Sequence, residues 1–206
     1  MSGRQSDQEQ LQTRQVVEAW GRIEAWLAEH APASFASLKA GASEEEITAL
    51  EDAVGVHVPA GVKALWRMHA GADAVASAVF MLGNWALTGL DSVEAVYRRR
   101  MLFQVENEAE GYMTWKAPWI PLCSYTVTDT SYGLCVDGKD GTMWEWEETA
   151  QVTPRFDSLT DYLEEMADAL ESPALALGPM PGVAHGALMW GEPSDPAVKE
   201  AWVPLA

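Results

Sequence analysis

Positive charge is scarce in this sequence. Thirteen lysines and arginines face 31 aspartates and glutamates among 206 residues, a formal net charge of −18. Nucleic-acid binding draws most of its affinity from cations that displace phosphate counterions. The one dense basic run, Arg98-Arg99-Arg100, is too short to line a groove. No nucleic-acid partner is expected. The charge imbalance itself has two readings, long-range steering toward a basic protein or plain solubility. Apolar runs long enough for a bilayer are also absent, so no membrane association is expected. The opening stretch MSGRQSDQEQLQTRQ lacks the apolar segment of a secretory signal, and the expected location is cytoplasmic. Cysteine is limited to Cys123 and Cys135, with no CxxC. They fall in neighbouring predicted strands. A cross-strand disulfide and two reduced, semi-buried thiols both remain open, and a reducing compartment favours the thiols.

The motifs that carry chemistry are missing too. There is no HExxH, Cys/His metal cluster, GxSxG elbow, Walker loop or GxGxxG. The four histidines, His30, His57, His69 and His185, are scattered. Asp137-Gly-Lys-Asp-Gly141 lacks the alternating oxygen ligands of a calcium loop and reads as a turn between strands. No catalytic residue, metal or cofactor is expected. A cysteine nucleophile would need a histidine that only the fold can bring near it, and this is the one enzyme alternative left.

What is present is a sequence of well-signalled elements. Residues 1–12 read as a disordered N-terminus. Val16, Val17, Trp20, Ile23, Trp26 and Leu27 then recur at helical steps, up to Pro32. Residues 32–42 form a connector in which Phe35 and Leu38 are expected to tuck inward. Ser43 and Glu46 make a capping box, and Gly55 suits the left-handed residue after a helix. Pro59 fits the start of the next helix, which Gly71 ends. Two short strands are predicted around Gly83-Asn84, and a helix over about 92–107. Pro118–Cys123 reads as an edge strand because prolines cannot donate to a ladder. Further strands are predicted over 133–137, 142–147 and 151–153, followed by a helix capped by Ser158. Six of the eleven prolines fall within 173–204, so 172–206 reads as an extended Pro/Gly-rich C-terminal extension that leans toward docking on the domain. Segregated helices and antiparallel strands predict an α+β fold.

The ten tryptophans admit both a core and a partner-facing role. Trp20, Trp26 and Trp66 share helix faces with other apolar residues and read as core. Trp85, Trp115, Trp144 and Trp146 lie near glycines or acids and are open. In Trp144-Glu-Trp-Glu-Glu148, Trp144 and Trp146 share one face while Met143, Glu145 and Glu147 share the other. That pattern suits a binder of a basic surface and equally a strand buried on one face.

Three blocks in order carry a resemblance. Ser43–Ile47, Leu50-Glu51, Val54-Gly55, Val58-Pro59 and Gly71 form the first. Trp119-Ile-Pro-Leu122, then Leu134-Cys-Val-Asp137 and Gly141, form the second. Ser158–Leu163 is the third. Together they resemble the SUKH superfamily, the Smi/Knr-type domains of bacterial toxin-immunity proteins and fungal cell-wall regulators. The resemblance implies an antiparallel-rich twisted sheet flanked by helices over 13–171. It assigns structural roles to Gly55, Pro59, Trp119, Pro121, Asp137 and Gly141. It also implies a protein partner, a basic nuclease-type toxin domain among the candidates, neutralised by stoichiometric binding without catalysis. A regulatory interaction module outside toxin systems is the alternative. Where the family often carries Gly-Gly-Asp, this chain has Thr126–Ser131, so the partner is expected to differ. The residues expected to face it are Glu106, Glu108, Trp115, Asp129, Tyr132, Trp144, Glu145, Glu147 and Glu148.

Overall fold

The computed structural model describes residues 2–108, 111, 113–148 and 152–205, with side chains from residue 6 onward. Among these, the expected α+β class is what forms: seven α-helices, a curled six-stranded antiparallel sheet and a smaller three-stranded one. Helix α1 spans Ser2–His30 and so takes in residues 2–12, where the sequence suggests an irregular terminus. Its seam is Val16, Trp20, Ile23 and Leu27, all buried, while Val17 faces solvent. The buried stripe is therefore narrower than the full run of apolar residues. Helix α2 (Pro32–Ala36) interrupts the expected connector. Pro32 stands in its first turn, where a missing N–H loses no bond. Phe35 is exposed, against expectation, and only Leu38 packs inward.

The corner between α3 (Glu44–Val54) and α4 (Ala60–Met68) is built from the inside. The Ser43 hydroxyl accepts from the Glu46 N–H at 3.2 Å, and the Glu46 carboxylate accepts from the Ser43 N–H at 2.7 Å. Gly55 ends α3 at φ 68°, a left-handed conformation that costs glycine little. Glu51 then clips the turn. Its carboxylate accepts from the Val58 N–H at 2.7 Å and from Lys63 Nζ at 2.8 Å, with His57 Nδ1 at 3.0 Å. Pro59 follows as the N-cap, its carbonyl accepting from the Lys63 N–H at 3.0 Å. Burial opposes ionisation of Glu51. The Lys63 ammonium and the Val58 N–H outweigh it, holding the carboxyl below the usual glutamate range.

The large sheet runs β1 (Val79–Met81), β2 (Trp85–Leu87), β3 (Trp119–Ser124), β4 (Gly133–Asp137), β5 (Met143–Trp146) and β6 (Thr153–Phe156), in sequence order. Strand β3 is therefore interior, not an edge. The ladder tolerates Pro121 because the β3–β4 register shifts between Pro121 and Cys123, and β2 pairs only with Cys123 and Ser124. A bulge absorbs the missing donor. The last strand lies at 153–156 instead of 151–153; Gln151 is outside the described residues. Helices α5 (Leu90–Asn107) and α6 (Leu159–Glu171) complete the main body. One face of the sheet, with Ile120, Leu134 and Met143, packs on α1, α4 and α6. The other, with Trp119, Cys135 and Trp146, packs under Val96 and Tyr97 of α5.

The Pro/Gly-rich extension folds as β7 (Pro181–Ala184), β8 (Ala187–Trp190), α7 (Pro196–Ala201) and β9 (Val203–Pro204), with β7 between β8 and β9. It is fastened where β1 turns into β2. The Asn84 side chain donates to the Trp190 carbonyl at 2.7 Å and accepts from the Trp190 N–H at 2.8 Å. The Trp190 indole donates to the Phe80 carbonyl at 2.9 Å. Leu188 and Trp190 are buried in the main core, so the β1 edge is covered.

Two outcomes are expected. Glu51→Gln should cost about 1–3 kcal/mol at neutral pH in urea unfolding. Because the folded carboxyl lies below its unfolded range near about 4.3, the wild-type advantage should be complete above that range. It should disappear as pH falls through the folded value; equal midpoints at pH 7 would remove the clip. Asn84→Ala should cost about 1–3 kcal/mol and release amide protection in β7 and β8 before the main sheet exchanges.

Candidate partner-binding face

Most of the expected partner residues gather at one end of the large sheet, where β3 stops, β4 starts and β5 stops. Gly133 pairs with Trp146 there. Its lack of a side chain is required: a Cβ would stand 2.4 Å from the Trp146 ring and 2.2 Å from the Cys123 carbonyl. The turn beyond is organised by Asp129, whose carboxylate accepts from the Ser131 and Tyr132 N–H groups at 2.7 and 3.1 Å. This presents the rings of Tyr125 and Tyr132 to solvent.

Helix α5 fixes the neighbouring wall. Gln104 Oε1 accepts from the Thr114 N–H at 2.7 Å and the Trp115 N–H at 2.9 Å, and the Tyr97 hydroxyl donates to the Ala117 carbonyl at 2.9 Å. Arg100 is buried and donates to the carbonyls of Thr114 and Glu147, both at 3.2 Å. Its guanidinium lies 5.0 Å from the Phe103 ring centre and 6.0 Å from that of Trp115. Burial pulls its pKa down to about 10 against the opposing pull of Glu148. Arg99 Nη2 stands 3.8 Å from the Glu148 carboxylate. Glu147 is thus half-buried and Glu148 exposed at this end, with Glu106 and Glu108 exposed further along α5 and just past its end.

Three expected residues offer a partner little surface there. Trp115 is 2% exposed, edge-on to Trp119 and Trp146 at 5.4 and 5.5 Å, and offers a partner no surface. Trp144 is half-buried and stacked on Trp119 at 5.3 Å, with Lys116 Nζ 5.0 Å from its ring. Glu145 is held by Arg155 at 2.6 Å. Conversely, Leu102, Val105, Met113 and Tyr125 are large exposed apolar or aromatic groups that the sequence reading does not single out. For Leu102 and Val105 the signal is available: they fall off the Val93–Val96–Tyr97 stripe of α5.

Of the residues given structural roles, Gly55 and Pro59 form the α3–α4 corner, and Trp119, Pro121, Asp137 and Gly141 belong to the sheet and its β4–β5 turn. Asp137, buried, accepts from the Trp119 indole and from the Lys139 N–H, both at 2.9 Å. Gly141, at φ 82°, donates its N–H to the Asp137 carbonyl at 2.8 Å and closes the turn.

The thiols offer little chemistry. Cys123 and Cys135 are free and fully buried. They belong to opposite faces of the sheet, Cys123 packing with α6 and Cys135 with Trp119 and Trp146, so no disulfide joins them. Burial pushes both thiols up, away from the thiolate that a nucleophile requires. His69 is spent on the Lys39 carbonyl at 2.6 Å and Glu24 at 3.2 Å, and His57 sits beside Glu51. Among the described residues, no group of three or more His, Cys, Asp or Glu could hold a metal, and no helix is long and apolar enough to cross a membrane. A disulfide-exchange thiol reagent should therefore find almost no reactive cysteine in the native protein and two after denaturation. A fast-reacting native thiol would reopen cysteine chemistry.

Comparison with known proteins agrees with this architecture. F-box only protein 3 from Bos taurus is 27% identical over 128 residues, 61% of this chain and 26% of the relative. The Homo sapiens protein of that name matches to the same extent. The chain thus spans about a quarter of the length of these curated relatives. The SMI1 / KNR4 family (SUKH-1) matches residues 41–165, from the capping box before α3 to the middle of α6. That is more than half of the chain, which belongs to the SMI1 / KNR4 family and hence to the SUKH superfamily.

Proposed function

We propose that this protein is a stoichiometric binding domain that neutralises a basic partner, a nuclease-type toxin domain, by covering its working surface. Membership of the SMI1 / KNR4 family carries the reading, since it supports a non-catalytic, SUKH-type protein-interaction domain. The net charge of −18 favours a cationic partner. The contact face we assign is the sheet end described above: Tyr132 and Asp129 on the β3–β4 turn, Glu147 and Glu148 after β5, and Glu106 and Glu108 around the end of α5. Trp144 and Glu145, covered by Lys116 and Arg155, are left out of it. The exposed Leu102, Val105 and Tyr125 supply the apolar centre that an acidic rim alone lacks. A regulatory interaction module outside toxin systems is the second reading. It is favoured by the match to F-box only protein 3, in which the similar stretch is a minor part of a longer protein.

The test is recovery of the partner from the source cells with a tagged chain, then calorimetry on the two purified proteins. A one-to-one complex is expected, weakening at least tenfold between about 0.05 and about 0.5 M salt. Tyr132→Ala combined with Glu148→Gln should cost about 2–4 kcal/mol of affinity. Neutralisation of a toxic activity by one equivalent separates immunity from regulation. Binding indifferent to both salt and these substitutions would contradict the proposal.

A further inference from the structure

A second surface lies away from the sheet end. Helix α6 turns Asp161, Glu164, Glu165 and Asp168 outward at steps of three and four residues, one acidic stripe along the helix. Where the chain leaves α6 it folds back beside this stripe, and the two enclose a groove of about 550 Å³. The far wall is apolar. Leu175 is 77% exposed and Leu177 90% exposed. Leu175 is carried on an ordered turn. Pro173 is buried, the Leu175 N–H donates to the Ser172 carbonyl at 2.9 Å, and the Ala176 N–H donates to the Pro173 carbonyl at 3.1 Å. The short turn over 173–175 thus fixes the backbone that carries Leu175, which lessens the ordering left for a partner to impose.

Charge says what fits. Arg22 of α1 binds Asp168 at 2.6 Å and Glu171 at 2.6 Å, at one end of the stripe. Asp161 accepts only from the Ser158 hydroxyl, and no cation is paired with Glu164 or Glu165 among the described contacts. An apolar occupant alone would leave these carboxylates desolvated and unpaired, which is costly. A polar acidic one would be repelled. The required occupant carries cations on one side and apolar residues on the other.

We infer that the groove between α6 and Leu175–Leu177 docks a basic amphipathic helix of a partner protein, with lysines or arginines on Glu164 and Glu165 and an apolar residue covering Leu177. The family match ends at residue 165, so the leucine wall lies outside the matched stretch. The inference is independent of the sheet-end face: a partner can use either surface without the other.

The probe is a fluorescein-labelled amphipathic helical peptide with leucines on one face and lysines on the other, read by anisotropy on the full-length protein. Saturable one-to-one binding is expected. Leu175→Ser/Leu177→Ser should weaken it at least tenfold with the salt dependence unchanged. Glu164→Gln/Glu165→Gln should weaken it and flatten that dependence. Leu175, Leu177 and Glu164 are exposed and Glu165 is half-buried, and an unchanged circular dichroism melt checks that folding is intact. A peptide that binds the leucine variant as tightly as the wild type reports only diffuse attraction to an acidic protein and overturns the inference, as does the absence of saturable binding. Tyr132→Ala, at the other surface, should leave peptide affinity unchanged; its loss would move the site to the sheet end.

Discussion

Both faces of the six-stranded sheet are covered, and that constraint decides where everything else in this molecule can act. Helices α1, α4 and α6 close one side, and α5 with the 113–118 segment closes the other. Most residues on β1–β5 are thereby consumed by packing, whereas Thr153, Pro154 and Arg155 of β6 stay exposed. Trp119 and Trp146 become interior surfaces, and Trp115 wedges between them. The two thiols are sealed on opposite faces. Acids, which cost too much to bury unpaired, collect on the outer helix faces and at the strand ends. A protein arranged like this offers a partner shape and charge at its surface.

The two sheet edges are protected to different degrees. Trp190 and Leu188 from the extension cover the β1 side through Asn84, while β6 is short and carries Pro154 in the ladder. Open edges would invite pairing with other chains. With the β1 edge covered, the strand ends, the short exposed β6 strand and the outer helix faces are the surfaces at which a partner can be met. The family match stops at residue 165, yet the extension beyond it completes the fold by covering the β1 edge.

The parts legible in the sequence are those with a local cause. The Ser43–Glu46 box, Gly55 and Ser158 mark their helix ends because capping involves residues only three apart. The alternation in β5 is also local: Trp146 falls on the α5 side and Met143 on the opposite side. What escapes the sequence is set by distant partners. Pro121 signals an edge until the bulge against β4 is seen. Trp115 lies in a stretch with no period, and only Gln104, ten and eleven residues earlier on another element, draws that stretch inward. The docking of the extension depends on an asparagine 106 residues from its partner. Of the candidate face, the acids and Tyr132 are legible as exposed polar or turn residues, and Leu102 and Val105 as apolar residues off the Val93–Val96–Tyr97 stripe.

Amide hydrogen exchange on the complex with the native partner tests the central claim most directly, because it locates the contact without altering the protein. The account predicts slowed exchange at the β3–β4 turn, at the end of β5 and along the second half of α5, with the sheet interior unchanged. Protection confined to β1, β2 and the C-terminal extension would contradict it.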